Sequence, residues 1–400
     1  MNIFKLSVLI LFTGLSTGTP YSPESTKALQ KRAPCTVFSN NDPTLDDAPL
    51  INAALTACGN SGTVILSASQ TFTLHTPLQF EPCNHCDFQI EGSINITTAA
   101  VTAYKSTFNL TGVQGATIRS LTAQGLLDGN AVSYWYSRWD SGTWSGDPFF
   151  ELANSSSITI SNLSIRNVKQ RFFRATNASN LSFSKLNLSV DGQWGEYPRN
   201  EAETIGFEFG YVNNISIANI DMAFRARPNH RGPTGICAAF DTGSQNIFVR
   251  DISCTGAWGG ILVMIYTLGP DFKPPPSLAP PPISNITVQN LTFNGTIATG
   301  FKNYWSDLPM KNITWDGVEV LGGTPATVDV CYLRSHSVTA WVNQCRQQVN
   351  ASFEDAWFRG YRGDLKDAVG PSVYANNISH VDVHAEGWAN TIALLMKTGD

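Results

Sequence analysis

Hydrophobic and polar positions in this chain recur as a short block: an Asn, an aliphatic, a usually polar residue, then usually a further aliphatic or aromatic. The block reads Asn162-Leu163-Ser164-Ile165, Asn180-Leu181-Ser182-Phe183, Asn214-Ile215-Ser216-Ile217 and Asn246-Ile247-Phe248-Val249. It returns as Asn285-Ile286-Thr287-Val288, Asn312-Ile313-Thr314-Trp315 and Asn377-Ile378-Ser379-His380. Alternation of this kind predicts strands with one buried face. Successive copies lie 18 to 39 residues apart, except for 65 before the last. Spacing of that size and irregularity predicts an all-β solenoid whose turns vary in length, each rung stacking its aliphatics on the rung below.

One stretch breaks the period. Asp46-Asp47-Ala48-Pro49-Leu50-Ile51-Asn52-Ala53-Ala54-Leu55-Thr56-Ala57-Cys58-Gly59 opens on acids and an early Pro, spaces its apolar residues as a helix does, and closes on Gly. A helix there caps the open end of a solenoid, which otherwise exposes apolar rungs and unpaired edges. Residues 270–282, with Pro274-Pro275-Pro276 and Pro280-Pro281-Pro282, predict an extended loop between rungs. Nothing in the pattern marks a second domain.

Composition adds the compartment. The apolar run from Leu6 to Phe12 behind Lys5 reads as a signal peptide over residues 1–18, too short to span a bilayer. Residues 19–32 read as a propeptide ending in the dibasic pair Lys31-Arg32, which leaves 33–400 as one solenoid domain. The 14 Asn-x-Ser/Thr sequons also fit a secretory-pathway glycoprotein, and with a charged fraction of only 14%, Asn, Ser and Thr supply the surface polarity. A net charge of −5 argues against a nucleic-acid partner. No later apolar stretch is long enough to cross a membrane, and a secreted monomer is expected.

Eight cysteines, an even number, predict disulfides in an oxidising compartment. Proximity pairs Cys35 with Cys58, Cys237 with Cys254 and Cys331 with Cys345, leaving Cys83-Asn84-His85-Cys86 as a tight disulfide loop. A Cys-x-x-Cys beside a His is also a fragment of a metal site, but one pair offers too few ligands for a closed zinc centre. No metal or cofactor is expected, and connectivity is not fixed by spacing alone.

Several segments together resemble fungal polygalacturonases of glycoside hydrolase family 28. The capping segment Asp46 to Gly59 followed by Gly62-Thr63-Val64-Ile65-Leu66 is similar to the start of such a protein. Gly125-Leu126-Leu127-Asp128-Gly129-Asn130 resembles the family's G-x-[IL]-D-G-x turn, and Thr204-Ile205-Gly206-Phe207-Glu208 sits where the family has N-T-D-G-F-D. The rungs around Cys237 and Cys254 fall at matching distances, and the likeness runs from about Cys35 to beyond Cys345, most like the exo-acting branch at its C-terminal end. The resemblance implies a right-handed parallel β-helix with a cleft along one face, and pectin or a related polyuronide as ancestral substrate.

For chemistry the same likeness reads differently. The family hydrolyses with inversion, using three Asp, a His, and an Arg-x-Lys pair that binds the uronate carboxylate. Here the Asn of the first motif is Glu203 and its Asp is Ile205; the Asp-Asp before the rung cysteine is Gly235-Ile236; the His is Trp258; the Arg and Lys are Lys302 and Tyr304. Inversion needs a protonated carboxyl at the leaving oxygen and a carboxylate holding water, about 6.5–9.5 Å apart. Ile205, Gly235 and Ile236 supply neither, and each missing acid or base forfeits on the order of 10²–10⁴ in rate.

The residues left near the cleft are therefore the candidates. Glu203 shares a strand face with Ile205 and suits general acid–base work, or is a solvated strand-end Glu. Asp241 opens the turn after the Cys237 strand, as Asp does for purely local reasons, or touches substrate. Arg225, Arg227 and His230 lie in a basic turn that binds an anion and moves protons, or is merely solvated. Lys302 takes a substrate-ligand position in the resemblance, and Trp258 and Tyr304 line the pocket beside Ile205. Trp135 belongs to an aromatic loop, Tyr134-Trp135-Tyr136-Ser137-Arg138-Trp139, that walls the cleft or covers rungs. His85 and His380 read as structural.

Three readings stand. The first is a secreted, polygalacturonase-like protein acting on a pectin-type polysaccharide, its catalysis rebuilt around Glu203. The second is a repurposed β-helix enzyme performing cyclisation or isomerisation on a small hydrophobic molecule, with Lys302, Tyr304 and His230 as donors. The third is a non-catalytic binder of wall polysaccharide.

Overall fold

The Asn-led blocks from Asn162 to Asn312 each begin at a corner of the chain. Asn180, Asn214, Asn246, Asn285 and Asn312 all have φ between 52° and 61°. Asn is among the few side chains that enter this left-handed region readily, which is why it leads the block. In the computed structural model the blocks then stack in parallel register: Leu181 on Ile215, Ile247, Ile286 and Ile313, and Phe183 on Ile217, Val249, Val288 and Trp315. The structure describes residues 33–98, 100, 106–139, 147–193, 204–226, 235–265, 283–303, 310–329, 351–359, 362–363, 372–374 and 378–386.

Parallel pairing repeats on three faces, forming a right-handed parallel β-helix. The first face runs from Cys35–Val37 through Thr63–Leu66, Asp87–Ile90 and Thr117–Arg119 into the opening halves of Ser156–Arg166, Ser179–Gln193 and Asn213–Ala226. The second stacks Thr71–Leu74, Ser93–Ile96 and Leu126–Asp128 beneath the closing halves of those longer strands. The third stacks Leu78–Gln79, Phe108–Asn109, Pro148–Ala153, Arg171–Thr176, Ile205–Gly210 and Ile236–Phe240, then the far ends of Gln245–Ile265, Ile283–Asn303 and Met310–Asp329. The Asn162 block is the exception to the expected stacking. Leu163 pairs with Leu186, on the second face, so its 18-residue distance from Asn180 is shorter than a full turn.

Inside, aromatic rings form a column behind the third face. Phe108 stacks on Phe150 at 4.3 Å, Phe150 on Phe173 at 5.0 Å and Phe173 on Phe207 at 5.1 Å. All four are fully buried, and such stacks add about 0.5–1.5 kcal/mol each beyond area burial.

The predicted cap is present as the helix Ala48–Cys58, which buries Ala48, Ile51, Leu55 and Cys58. Asp47 does not cap its own helix. Its carboxylate accepts from Ser39 Oγ at 2.9 Å and from the backbone N–H groups of Asn40 and Thr73, both at 2.8 Å, tying the helix entry to the first turn. The Cys35–Cys58 disulfide closes the other end, and Cys83–Cys86 and Cys237–Cys254 are also bonded. Cys331 and Cys345 lie outside the described residues, as do the signal peptide and propeptide.

A second helix replaces the expected aromatic loop. Val132–Trp139 is helical because Ala131, Tyr134 and Trp135 recur at helical spacing and are buried. Rings favoured in strands disguised that period in the sequence. Among the described residues no helix is long and apolar enough to cross a membrane.

Candidate active site

On the third face Phe150, Phe173, Phe207, Ala238 and Ile261 turn into the core, and the residue that follows each of them lies on the outer side. Along that outer surface the register stacks Glu151, Arg174, Glu208, Ala239 and Leu262 in one column. The column begins charged and ends apolar.

The apolar end collects the positions where the sequence resemblance places catalytic groups. Ile205, Ile236, Ala239 and Leu262 form a buried cluster separate from the main core, with Trp258 packed against it. Ile205 and Ile236 pair on adjacent rungs, 6% and 3% exposed. Gly235 has φ +84°, and a Cβ there would stand 2.5 Å from Thr204 O and 2.6 Å from Phe224 Cδ1. Its carbonyl accepts from the N–H groups of Trp258 at 2.8 Å and Gly259 at 3.2 Å, holding the turn in place. A carboxylate at position 235 would therefore require the main chain around Thr204 to shift and would strain its own backbone.

The charged end was not singled out from the sequence. Glu208, 8% exposed, accepts from Arg171 Nη2 at 3.1 Å and meets Arg171 Nε through its other oxygen. Arg174 lies 3.9 Å from the same carboxylate. Asp147 pairs with Lys169 Nζ at 2.7 Å, and that ammonium sits 4.9 Å from the centre of the Tyr134 ring. Burial pushes the Glu151 carboxyl above the usual carboxylate range, with Glu208 and Asp147 adding to the shift and Arg174 and Arg171 opposing it. The signal was present: single charges set between apolar neighbours in Phe150-Glu151-Leu152, Phe173-Arg174-Ala175 and Phe207-Glu208-Phe209. What brings them together is cross-rung register.

The predicted candidates are distributed as follows. Trp258 and Ile205 meet in the apolar cluster. Trp135 is 1% exposed and donates its indole N–H to Lys169 O at 2.8 Å. Asp241, 2% exposed, accepts from Thr242 N and Oγ1 at 2.5 and 3.0 Å and shapes the turn that also bonds Ser244 N. Arg225 pairs with Asp191 at 2.9 Å on an exposed surface. The backbone of Lys302 pairs with Met264 and Asp329. Glu203, Arg227, His230 and Tyr304 lie outside the described residues. Among the described residues no group of three or more His, Cys, Asp or Glu is arranged to hold a metal ion.

Comparison with known proteins agrees with this architecture. A sequence model of the family described as Glycosyl hydrolases family 28 matches residues 58–261. Endo-xylogalacturonan hydrolase A of Aspergillus tubingensis is 27% identical across 97% of this chain and 90% of its own length. A probable endo-xylogalacturonan hydrolase A of Aspergillus flavus is 26% identical, over 93% and 87% respectively. Both are named as endo-acting, where the C-terminal part of the sequence reads as most like the exo-acting branch. The crystal structure of the Aspergillus tubingensis enzyme superimposes with a TM-score of 0.69 at 24% identity, covering 88% of this chain and 93% of that one. The polygalacturonase from Erwinia carotovora ssp. carotovora gives 0.52 at 12% identity, covering 89% and 100%.

Proposed function

From the premise that this chain belongs to glycosyl hydrolases family 28, we propose that it is an exported, pectin-directed β-helix protein whose cleft no longer performs the family's inverting hydrolysis at the usual positions. Its ligand on this reading is an acidic, galacturonate-type polysaccharide, the substrate class in the names of its relatives. One observation carries the loss of ordinary hydrolysis: Ile205, Ile236, Leu262 and Trp258 pack together where an acid and a water-holding base are needed. An apolar wall neither ionises nor orients water, and it raises the cost of charge developing beside it. The leader, the dibasic pair Lys31-Arg32 and the disulfides support export.

The same apolar cluster favours a second reading, a repurposed site that takes a small hydrophobic molecule and cyclises or isomerises it. The polymer reading is preferred because charged groups continue along the same face of the β-helix, as suits an extended acidic chain.

The deciding experiment measures reducing-sugar release from polygalacturonate and xylogalacturonan by the mature, glycosylated protein, and retention on immobilised polygalacturonate. Glu203→Gln and Lys302→Ala are assayed alongside. Retention without release is expected. Release that disappears in Glu203→Gln would mean a rebuilt hydrolytic site. A protein neither retained nor active on either polymer, yet correctly folded, would move the assignment to the small-molecule reading.

A further inference from the structure

Glu151, Arg174 and Glu208 stand on consecutive rungs of the outer column, alternating in charge at the rung spacing of about 4.8 Å. The two arginines beside Glu208 are not equivalent. Arg171 grips it through both oxygens, with its side chain 16% exposed. Arg174 reaches no closer than 3.9 Å, beyond hydrogen-bond distance, and its side chain is 30% exposed. The buried Nε of Arg174 has no hydrogen-bond partner among the described residues. Glu208 is thus paired closely with one guanidinium, and a second guanidinium lies beside it on the outer surface of the third face, 3.9 Å from the same carboxylate. Planar bidentate recognition of a carboxylate is the chemistry for which arginine is suited and lysine is not.

Charge bookkeeping around Arg174 points the same way. Arg171 and Glu208 cancel, as do Lys169 and Asp147, leaving Arg174 and Glu151. While Glu151 is protonated the cluster carries one excess positive charge and welcomes an anion. Once Glu151 ionises, the excess is gone and a like charge faces the incoming carboxylate. The groups that face Glu151 are Arg174 and Arg171 on one neighbouring strand, Glu208 on the strand beyond, and Asp147 at its own strand's start.

Resting on the acidic-polysaccharide reading above, we propose that Arg174 is the carboxylate anchor of this cleft, binding a uronate of the ligand on the rung between Glu151 and Glu208. This anchor stands on the charged N-terminal side of the apolar cluster, so polymer recognition survives where the usual acid–base positions have been filled. Glu151 makes the grip pH-dependent. Burial raises the titration of Glu151 above that of an ordinary carboxyl, so a uronate stays ionised while Glu151 takes up its proton, and affinity increases on acidification and falls as pH rises through that titration.

The test titrates a short galacturonate oligosaccharide and its methyl ester into the full glycosylated protein by calorimetry, at about pH 4.5 and about pH 7. Wild type, Arg174→Gln, Arg174→Lys and Glu151→Gln are compared, with melting temperature as the folding control. Arg174→Gln is expected to weaken the acidic ligand about 10-fold or more and leave the ester unchanged. Arg174→Lys, which keeps the charge and loses the fork, should fall between. Glu151→Gln should bind at neutral pH as tightly as wild type does in acid. Unchanged affinity in a folded Arg174→Gln overturns the assignment while leaving the polysaccharide reading intact. Equal weakening of both ligands assigns Arg174 a structural role and overturns it as well. Wild type that binds neither ligand sinks the anchor together with the reading beneath it.

Discussion

Ile205 and Ile236 sit one above the other on adjacent rungs, in register, buried in an apolar cluster apart from the main core. They close the outer surface of the third face with Leu262 and Trp258, so an acid placed there enters an apolar contact. For Ile205→Asp the expected cost is about 2–4 kcal/mol at neutral pH. Burial raises the new carboxyl's pKa in the folded state above its unfolded value. Stability is therefore closest to wild type in acid and is lost as pH rises through the folded pKa. Chemical denaturation in acid and at neutral pH measures this directly; a variant as stable as wild type at neutral pH would mean that the site is open to water. Gly235→Asp should be worse than its chemistry suggests, since a Cβ at φ +84° meets Thr204 O at 2.5 Å. Neither substitution should restore hydrolysis.

The amide ladder on the first face separates two contributions that Asn makes together. Asn246 donates to Asn213 Oδ1 at 2.7 Å and accepts from Asn285 Nδ2 at 2.9 Å, while its backbone holds φ +55°. Asn246→Ala loses both bonds and leaves in the left-handed region a side chain that tolerates it less well than Asn, for an expected loss of about 1–2 kcal/mol. Asn246→Gly loses the same bonds and relieves the backbone. Thermal melts should therefore place the glycine variant above the alanine variant. The reverse order would assign the role of this Asn to its side chain alone.

The disulfides should differ in worth by the loop each closes. Cys35 and Cys58 are 23 residues apart and tie the capping helix to the first strand, whereas Cys83 and Cys86 are 3 apart within one turn. Loop-closure entropy assigns about 3 kcal/mol to the first and about 2 kcal/mol to the second. Replacing both cysteines of each pair by Ala, and comparing midpoints in denaturant, should lower the first variant further. Loss of the cap also exposes rung edges, so only that variant should aggregate on heating.

The fold was largely legible because each Asn-led block carries its own register mark. A corner Asn followed by two inward aliphatics fixes which residues stack, whatever the turn between them. The site was less so. Glu151, Arg174 and Glu208 are separated by 23 and 34 residues, and only the turn lengths decide that they share a column. The chemical meaning of Ile205 and Ile236 was visible from the family likeness, but their closing together with Leu262 was not. Helix Val132–Trp139 was missed because its rings serve strand and helix patterns equally.

Glu91 offers a stability test independent of the cleft. It is 9% exposed and accepts from Ser120 Oγ at 3.1 Å, Leu121 N at 2.6 Å, and Thr122 N and Oγ1 at 3.2 and 2.5 Å, pinning a corner between rungs. Burial pushes its carboxyl up, but those donors outweigh burial and hold it below the ordinary range. A depressed folded pKa contributes stability that is present above the unfolded value and lost as pH falls through the folded one. Glu91→Ala is expected to cost about 2–3 kcal/mol near neutrality, because it removes the charge that those donors address. Below the folded pKa the gap between variant and wild type should narrow, since wild type has then lost the same charge. Melting curves of both proteins from neutral to strongly acidic pH give the comparison. A gap that widens in acid would show that the corner is held by something other than the Glu91 carboxylate.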